Sequence, residues 1–127
     1  MRYFPDGQEI VCINGINRYT RALYGSETNF RLETSDRPIF ATFKKADSKN
    51  IRLYLTVNGK TLQLDETSFC EARYVGGRRT YVVRDKSWPK EAELQIYAMA
   101  SFFEESAIWQ FQAFGFPNNT QLKAKVC

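Results

Sequence analysis

The chain has 127 residues, of which 43% are hydrophobic and 15% aromatic, a size that fits one domain and a composition that excludes intrinsic disorder. No run approaches the ~20 apolar residues of a membrane helix, so we expect no membrane insertion. The net charge of +4 comes from basic residues spread along the chain rather than gathered together, which argues against nucleic-acid binding.

The N-terminus, MRYFPDGQEI, lacks the long apolar segment of a signal peptide. We therefore expect either a cytoplasmic protein or one whose leader was removed, which would then be periplasmic or extracellular. The first strand-like segment, EIVCI, stops at the turn signal Asn14-Gly15. The stretch that follows, NGINRYTRALYG (residues 14–25), does not alternate as a strand does, because it interleaves arginines with tyrosines.

Beyond this stretch, turn residues recur at intervals of roughly ten residues, which is the rhythm of an all-β domain. No segment has a sustained helical period, although AMASFFEESA could hold one turn. The segments that we predict as strands are NFRLET, IFATFK, IRLYLTV, KTLQL, FCEARYV, RTYVVR, ELQIYAMAS, AIWQFQAFG and QLKAKV.

Two hairpins can be placed in register. Asn58-Gly59 is the preferred type I′ turn, and it pairs Val57 with Lys60. The same register continues to Leu53 opposite Leu64 and Arg52 opposite Asp65, which places four leucines on one face. A second hairpin turns at Gly76-Gly77 and sets Tyr74 opposite Arg79, Ala72 opposite Tyr81 and Cys70 opposite Val83.

A third hairpin is predicted near the C-terminus, where a turn at Pro117, Asn118 and Asn119 would join AIWQFQAF to QLKAKV. Antiparallel hairpins with long final strands indicate two packed sheets. We therefore predict an all-β fold, a two-sheet antiparallel β-sandwich that forms a single domain over residues 1–127.

The sequence contains no recognisable catalytic motif, and we predict neither a metal nor any other cofactor. It has no histidine, the commonest general base. Of the three cysteines, we expect Cys12 and Cys70 to be small buried hydrophobic residues, and Cys127 is the final residue. Glu104 and Glu105 are adjacent, so we expect two solvated carboxylates in a turn rather than a catalytic pair.

The two tryptophans could stack on sugar rings. Trp109 lies in an alternating strand pattern with Phe111 and Ala113, which favours a place in the core. Trp88 lies in the charged segment RDKSWPKEAE, so we expect it to be exposed or to contact another domain.

Four segments carry a resemblance to a known family: NGINRYTRALYG, TNFRLETSDRPIFA, YVGGRRTYVVRD and ELQIYAMA. In this order they resemble the N-terminal part of bacterial proteins classed as glycoside hydrolases of the six-hairpin (α/α)₆, rhamnosidase-like type. The resemblance implies a super-sandwich-like β-domain that precedes a helical catalytic barrel in a polysaccharide-degrading enzyme. No barrel is present in these residues, so the resemblance implies the sandwich alone, in whole or in part, without catalytic residues.

Two functions of different class follow as expectations. In the first, the chain is an accessory domain whose partner is the C-terminal helical catalytic domain of a parent glycoside hydrolase. In the second, it is a free-standing carbohydrate-binding module whose partner is an oligosaccharide. An autonomous enzyme is the least favoured reading, because no acid–base pair is recognisable. The candidate interdomain or carbohydrate contacts are Asn17, Arg18, Arg21, Tyr24 and Trp88.

Overall fold

The structure is a computed structural model that describes residues 2–24, 30–44, 47–101 and 106–126. Within these ranges the backbone forms strands and one short 3₁₀ helix, Leu64–Glu66, and no described helix is long and apolar enough to cross a membrane. The strands are β1 (Arg2–Asp6), β2 (Glu9–Ile13), β3 (Arg21–Tyr24), β4 (Arg31–Thr34), β5 (Ile39–Lys44), β6 (Asp47–Val57), β7 (Lys60–Gln63), β8 (Phe69–Val75), β9 (Arg78–Arg84), β10 (Glu93–Ala100), β11 (Ala107–Phe114) and β12 (Gln121–Val126).

The strands form two antiparallel sheets of six strands each, and this confirms the predicted all-β sandwich. The first sheet has the order β1-β2-β8-β9-β10-β11. The second has the order β12-β6-β5-β4-β3, and β7 pairs with β6 beside β5. Strands β11 and β12 are therefore edge strands of different sheets.

The core lies between the sheets because successive side chains of a strand point to opposite faces. In β10 the inward positions Leu94, Ile96 and Ala98 are buried. Phe40 of the second sheet reaches across to Tyr81 and Trp109, with ring centroids at 5.8 and 5.5 Å in edge-to-face geometry. Trp109 thus packs against the core, as predicted.

Both central hairpins have the predicted registers. Around Asn58-Gly59 the ladder runs from Val57↔Lys60 to Tyr54↔Gln63, and both turn residues have positive φ. The ladder stops there, because the chain bends into the 3₁₀ helix at Leu64. The predicted pairs of Leu53 with Leu64 and of Arg52 with Asp65 are therefore absent, although Leu64 is still fully buried. The Gly76-Gly77 hairpin is confirmed at every predicted pair.

The third predicted hairpin is wrong. The turn exists, since the Thr120 amide donates to the Pro117 carbonyl at 3.1 Å. However, β11 pairs with β10 in the first sheet while β12 pairs with β6 in the second. The long strand β6 has a free edge opposite β5 and β7, and β12 takes that edge instead of returning along β11. Sequence reasoning also missed β1 and β3, which are short and irregular in pattern.

Candidate functional site

The segment that interrupts the strand pattern forms an ordered loop, residues 14–20, between β2 and β3. We call it the anchored loop. Its first residue, Asn14, has a φ of 53° and bonds twice to Cys70. The Asn14 amide donates to the Cys70 carbonyl at 2.8 Å, and the Asn14 side-chain oxygen accepts from the Cys70 amide at 2.9 Å. These bonds fasten the start of the loop to β8.

A fully buried carboxylate, Asp36, holds the middle and the end of the loop. One oxygen of Asp36 accepts from the Tyr3 hydroxyl at 2.5 Å and from the Asn17 amide at 3.1 Å. The other accepts from the Thr20 hydroxyl at 3.1 Å. The Asp36 amide in turn donates to the Asn17 carbonyl at 2.9 Å. This density of donors compensates for removing a charge from water.

Arg79 supplies the opposite charge, and it is also buried. Its Nη2 lies 3.4 Å from Asp36 and donates to the Ser35 carbonyl at 2.9 Å, while the Tyr81 hydroxyl donates to the same carbonyl at 2.7 Å. Burial raises the pKa of the Tyr81 phenol, so this hydroxyl stays protonated and can keep donating. We call these groups the polar anchor: Ser35, Asp36, Arg79 and Tyr81 are buried, Thr20 is half-buried, and Tyr3 is 41% exposed but turns its hydroxyl to Asp36.

Gly15 is required where the anchored loop meets the polar anchor. A Cβ at this position would lie 2.5 Å from the Cys12 sulfur and 2.6 Å from an Asp36 oxygen, which no side chain can occupy. Arg37 closes the other side of the loop, because its guanidinium donates to the Gly15 carbonyl at 3.0 Å and to the Thr67 carbonyl at 2.6 Å. The backbone of the loop is thereby fixed from both sides.

The outer side of the anchored loop carries large exposed side chains. Ile16 is 77% exposed, and Arg18 and Tyr19 also face solvent. Tyr19 has a φ of 55° and donates its backbone N–H to the Ser35 hydroxyl at 2.9 Å. The loop thus holds its backbone rigidly while it displays an aliphatic, a cationic and an aromatic group.

The structure separates the predicted contact residues. Asn17 and Arg18 lie in the anchored loop, and Tyr24, at the end of β3, is 68% exposed. Arg21 is half-buried and directed inward, with its guanidinium 5.5 Å from the centre of the Tyr74 ring and a hydrogen bond to the Thr20 carbonyl. Arg21 therefore packs between strands of the two sheets, whereas Arg18 is available for a contact.

Trp88 is a correction. It was expected at the surface because its neighbours are charged, but it is only 6% exposed and belongs to the core. Its ring meets Phe116 edge-to-face at 5.2 Å. The turn from Asp85 directs it inward, since the Ser87 amide donates to the Asp85 carboxylate at 2.8 Å and the Trp88 amide to the Asp85 carbonyl at 3.1 Å. The indole points inward while charged neighbours face solvent, namely Lys86, Lys90 and Glu91.

Cys12 and Cys70 are buried free thiols beside the polar anchor, as predicted. Burial raises the pKa of Cys70 to about 12 and raises that of Cys12 as well, with the Asp36 charge as a second cause at Cys12. Neither thiol is therefore poised as a nucleophile. Glu104, Glu105 and Cys127 lie outside the described residues, so the predictions for them stay predictions.

A second surface feature is a groove of about 390 Å³ on the face of the first sheet that points away from the second. Tyr97 and Gln95 from β10 and Thr80 from β9 line it. Arg78 also lines it and has no ion pair among the described residues, whereas Arg73 is engaged by Asp6 at 2.7 Å and Glu71 at 3.2 Å.

Sequence reasoning singled out the anchored loop but missed Asp36 and Arg79, which hold it. Asp36 lies in TSDRP, which is typical of a solvated turn, and Arg79 lies beside a Gly-Gly turn where arginines are usually exposed. Their ion pair joins positions 43 residues apart. No local sequence pattern indicates such a pair. Asn14, which has a positive φ, is a recognisable turn residue and marks the start of the loop, but it does not indicate the pair that holds the loop.

Among the described residues, no group of three or more histidine, cysteine, aspartate or glutamate side chains is arranged to hold a metal ion. No protein-family model, curated protein or solved structure matches this chain.

Proposed function

We propose that this chain is an accessory, non-catalytic β-sandwich that docks on a partner domain through the anchored loop. The observation that carries the proposal is the contrast within the loop itself. Asp36 and Arg37 fix its backbone, while Ile16 remains 77% exposed next to Arg18. A loop held in one conformation loses little conformational entropy when it binds, so its exposed groups contribute more of their contact energy.

The exposed groups suit a protein partner. Aromatic residues and arginine are enriched at protein interfaces, and arginine stacks and forms two-point hydrogen bonds with carboxylates. A small pocket of about 120 Å³ lies beside the loop, between Ile16, Arg18 and Ile39, and could receive one side chain of a partner. The resemblance in sequence suggests the partner's class, namely the helical catalytic domain of a polysaccharide-degrading glycoside hydrolase.

The test compares the isolated chain with the product of its complete reading frame. Ile16→Ser combined with Arg18→Ala should leave the melting temperature of the isolated chain nearly unchanged, since exposed substitutions usually change stability by no more than about 0.5 kcal/mol. The same pair should lower the melting temperature and the glycosidase activity of the longer protein. Lys60→Ala, an exposed cation on β7, is the matched control and should change neither protein.

Two results would overturn the proposal. One is an unchanged longer protein carrying the double substitution. The other is a reading frame that ends at Cys127, because no partner domain would then exist in the same chain.

A second candidate function rests on the groove of the first sheet. Gln95, Thr80 and Arg78 offer hydrogen-bond donors and acceptors beside the Tyr97 ring, a combination that suits a saccharide because each sugar ring has hydroxyl edges and an apolar face. If the chain is a free-standing carbohydrate-binding module, Tyr97→Ala should abolish oligosaccharide binding in calorimetry. Gln110→Ala, on the neighbouring strand but outside the groove lining, should not change it.

A further inference from the structure

The sandwich is open along β11 and β12. These strands lie at the edges of different sheets, and every residue of β12 is exposed. The inward face of β12 is apolar, because Leu122 pairs with the buried Leu55 and Ala124 with the buried Leu53. Leu122 nevertheless stays 39% exposed and Val126 60% exposed. Side chains that point toward the core are thus left in water.

A cleft of about 360 Å³ separates the two edges. Leu55 and Leu94 from the buried core contribute to its lining, as do Phe111 and Leu122 from the edge strands. Thr120 also lines the cleft, and its hydroxyl is buried without a hydrogen-bond partner in the described part of the chain. A hydroxyl placed here without a protein partner is free to bond to a group that enters the cleft.

Both rims of this cleft are strand edges. No strand in the described residues pairs with the outer edge of β11 or of β12. The unpaired N–H and C=O groups of such an edge are a ready template for an extended chain, whose alternate side chains would point into the cleft. A compact surface could fill the cleft but would leave these backbone groups without protein partners.

The charges near the edge specify the chemistry of the added strand. On the outer face of β12, Lys123 pairs with Tyr54 and Lys125 pairs with Arg52. Neither β11 nor β12 contains an acidic residue. A second copy of β12 would bring two more lysines alongside these, and like charges on neighbouring strands are destabilising. An acidic strand would be favoured instead.

We propose that the free edge of β12 accepts a β-strand from a partner, with apolar side chains in the cleft and acidic side chains beside Lys123 and Lys125. This surface is separate from the anchored loop, so the proposal does not depend on the function proposed above.

The binding test uses the 127-residue chain and synthetic peptides of about nine residues, the length of an ordinary strand. One peptide alternates valine with glutamate, and its matched control alternates valine with lysine. We expect the glutamate peptide to bind in calorimetry and the lysine peptide to bind at least about fivefold more weakly, as two exposed ion pairs would allow. Equal affinities would overturn the proposal.

Two further peptides test the mode of binding. Each repeats the valine–glutamate sequence with N-methyl groups on one of the two alternate sets of residues, which removes the donors along one edge. Strand addition predicts that methylation on one set of residues abolishes binding while methylation on the other set does not. If both methylated peptides bind as the parent does, no strand is added and the proposal fails.

Variants of the chain locate the site. Lys123→Glu with Lys125→Glu should reverse the peptide preference, and Leu122→Glu should abolish binding of the glutamate peptide. Circular dichroism checks that each variant is folded. Where a variant does not fold, the methylated peptides with the unmodified chain test the proposal. Sedimentation tests whether a second copy of the chain occupies the edge instead. If the unmodified chain forms a dimer and Leu122→Glu dissociates it, the occupant is a second copy, and the proposal of an acidic partner strand is overturned.

Discussion

The polar anchor and the β11–β12 edge show two opposite ways of completing a sandwich. At the anchor, the charged side chains of Asp36 and Arg79 are buried and held by hydrogen bonds, since Asp36 accepts from Tyr3, Asn17, Thr20 and Arg79. The Nε of Arg79 has no partner in the described part of the chain. At the edge, apolar groups such as Leu122 point toward the core but remain exposed. The contrast shows that a side chain of this sandwich is buried where neighbouring groups can bond to it or pack against it, and that its polarity alone does not decide this.

The largest effect is expected at the polar anchor. Asp36→Asn removes the charge that faces Arg79 and leaves a buried guanidinium unpaired, which should destabilise the chain by about 3–5 kcal/mol. Urea unfolding followed by circular dichroism measures this. The matched control is Asp6→Asn, because Asp6 approaches Arg73 more closely, at 2.7 Å, but its side chain is 58% exposed. That change should cost at most about 1 kcal/mol, and equal losses would refute the contrast.

Gly15 tests the close approach of the anchored loop. Gly15→Ala would force a Cβ against Cys12 and Asp36, so we expect a loss of about 1–3 kcal/mol, as for overpacked cores. Gly76→Ala is the control, because a Cβ there meets nothing within 4 Å. Its unfolding free energy should stay within about 0.5 kcal/mol of the unmodified chain. A tolerant Gly15 would mean that the loop can shift away from the anchor.

The groups around the anchor also predict a pH dependence. Burial raises the pKa values of Cys12, Cys70 and Tyr81, and burial together with Asp36 raises that of Tyr3. All four are neutral when protonated, so the folded state holds these protons more tightly than the unfolded state does. Their stabilisation is present below the unfolded cysteine pKa of about 8.5 and is lost as the pH rises toward the folded values.

For Cys70 this loss runs from an unfolded pKa of about 8.5 to a folded pKa of about 12. By pH ~10 the ionisation of Cys70 in the unfolded chain should lower the free energy of unfolding by about 1–2 kcal/mol. Unfolding curves at several pH values measure the slope of stability against pH, and Cys70→Ala should make it shallower.

In the same pH range, Cys12 and Cys70 should resist alkylation until the chain is unfolded. Rapid labelling of both in the folded chain would contradict the burial.

The smallest effect is expected at Leu122 on the open edge, and its buried cross-strand partner Leu55 is the comparison. Leu55 and Leu122 face each other across β6 and β12, but Leu55 is buried and Leu122 is 39% exposed. Leu55→Ala should cost about 2–5 kcal/mol, whereas Leu122→Ala should cost less than about 1 kcal/mol because much of that side chain is already in water. Similar losses would indicate that the cleft is closed in solution.

The sequence was informative where structure depends on neighbours in the chain. The turns at Asn58-Gly59 and Gly76-Gly77 fixed both hairpin registers, and alternation placed Leu53, Leu55 and Trp109 on inward faces. The anchored loop was also recognisable, because its residues break the alternation. In each case a turn type or a period of two residues carries the information over a short distance.

By itself, then, the sequence determined the all-β class, two hairpins and the loop that departs from them. Tertiary structure alone decided that β12 pairs with β6, that Trp88 turns into the core, and that Asp36 meets Arg79 beneath the loop. The physical reason is that edge pairing and buried ion pairs depend on groups far apart in sequence. Their partners are set by how the two sheets pack, and no local propensity records that packing.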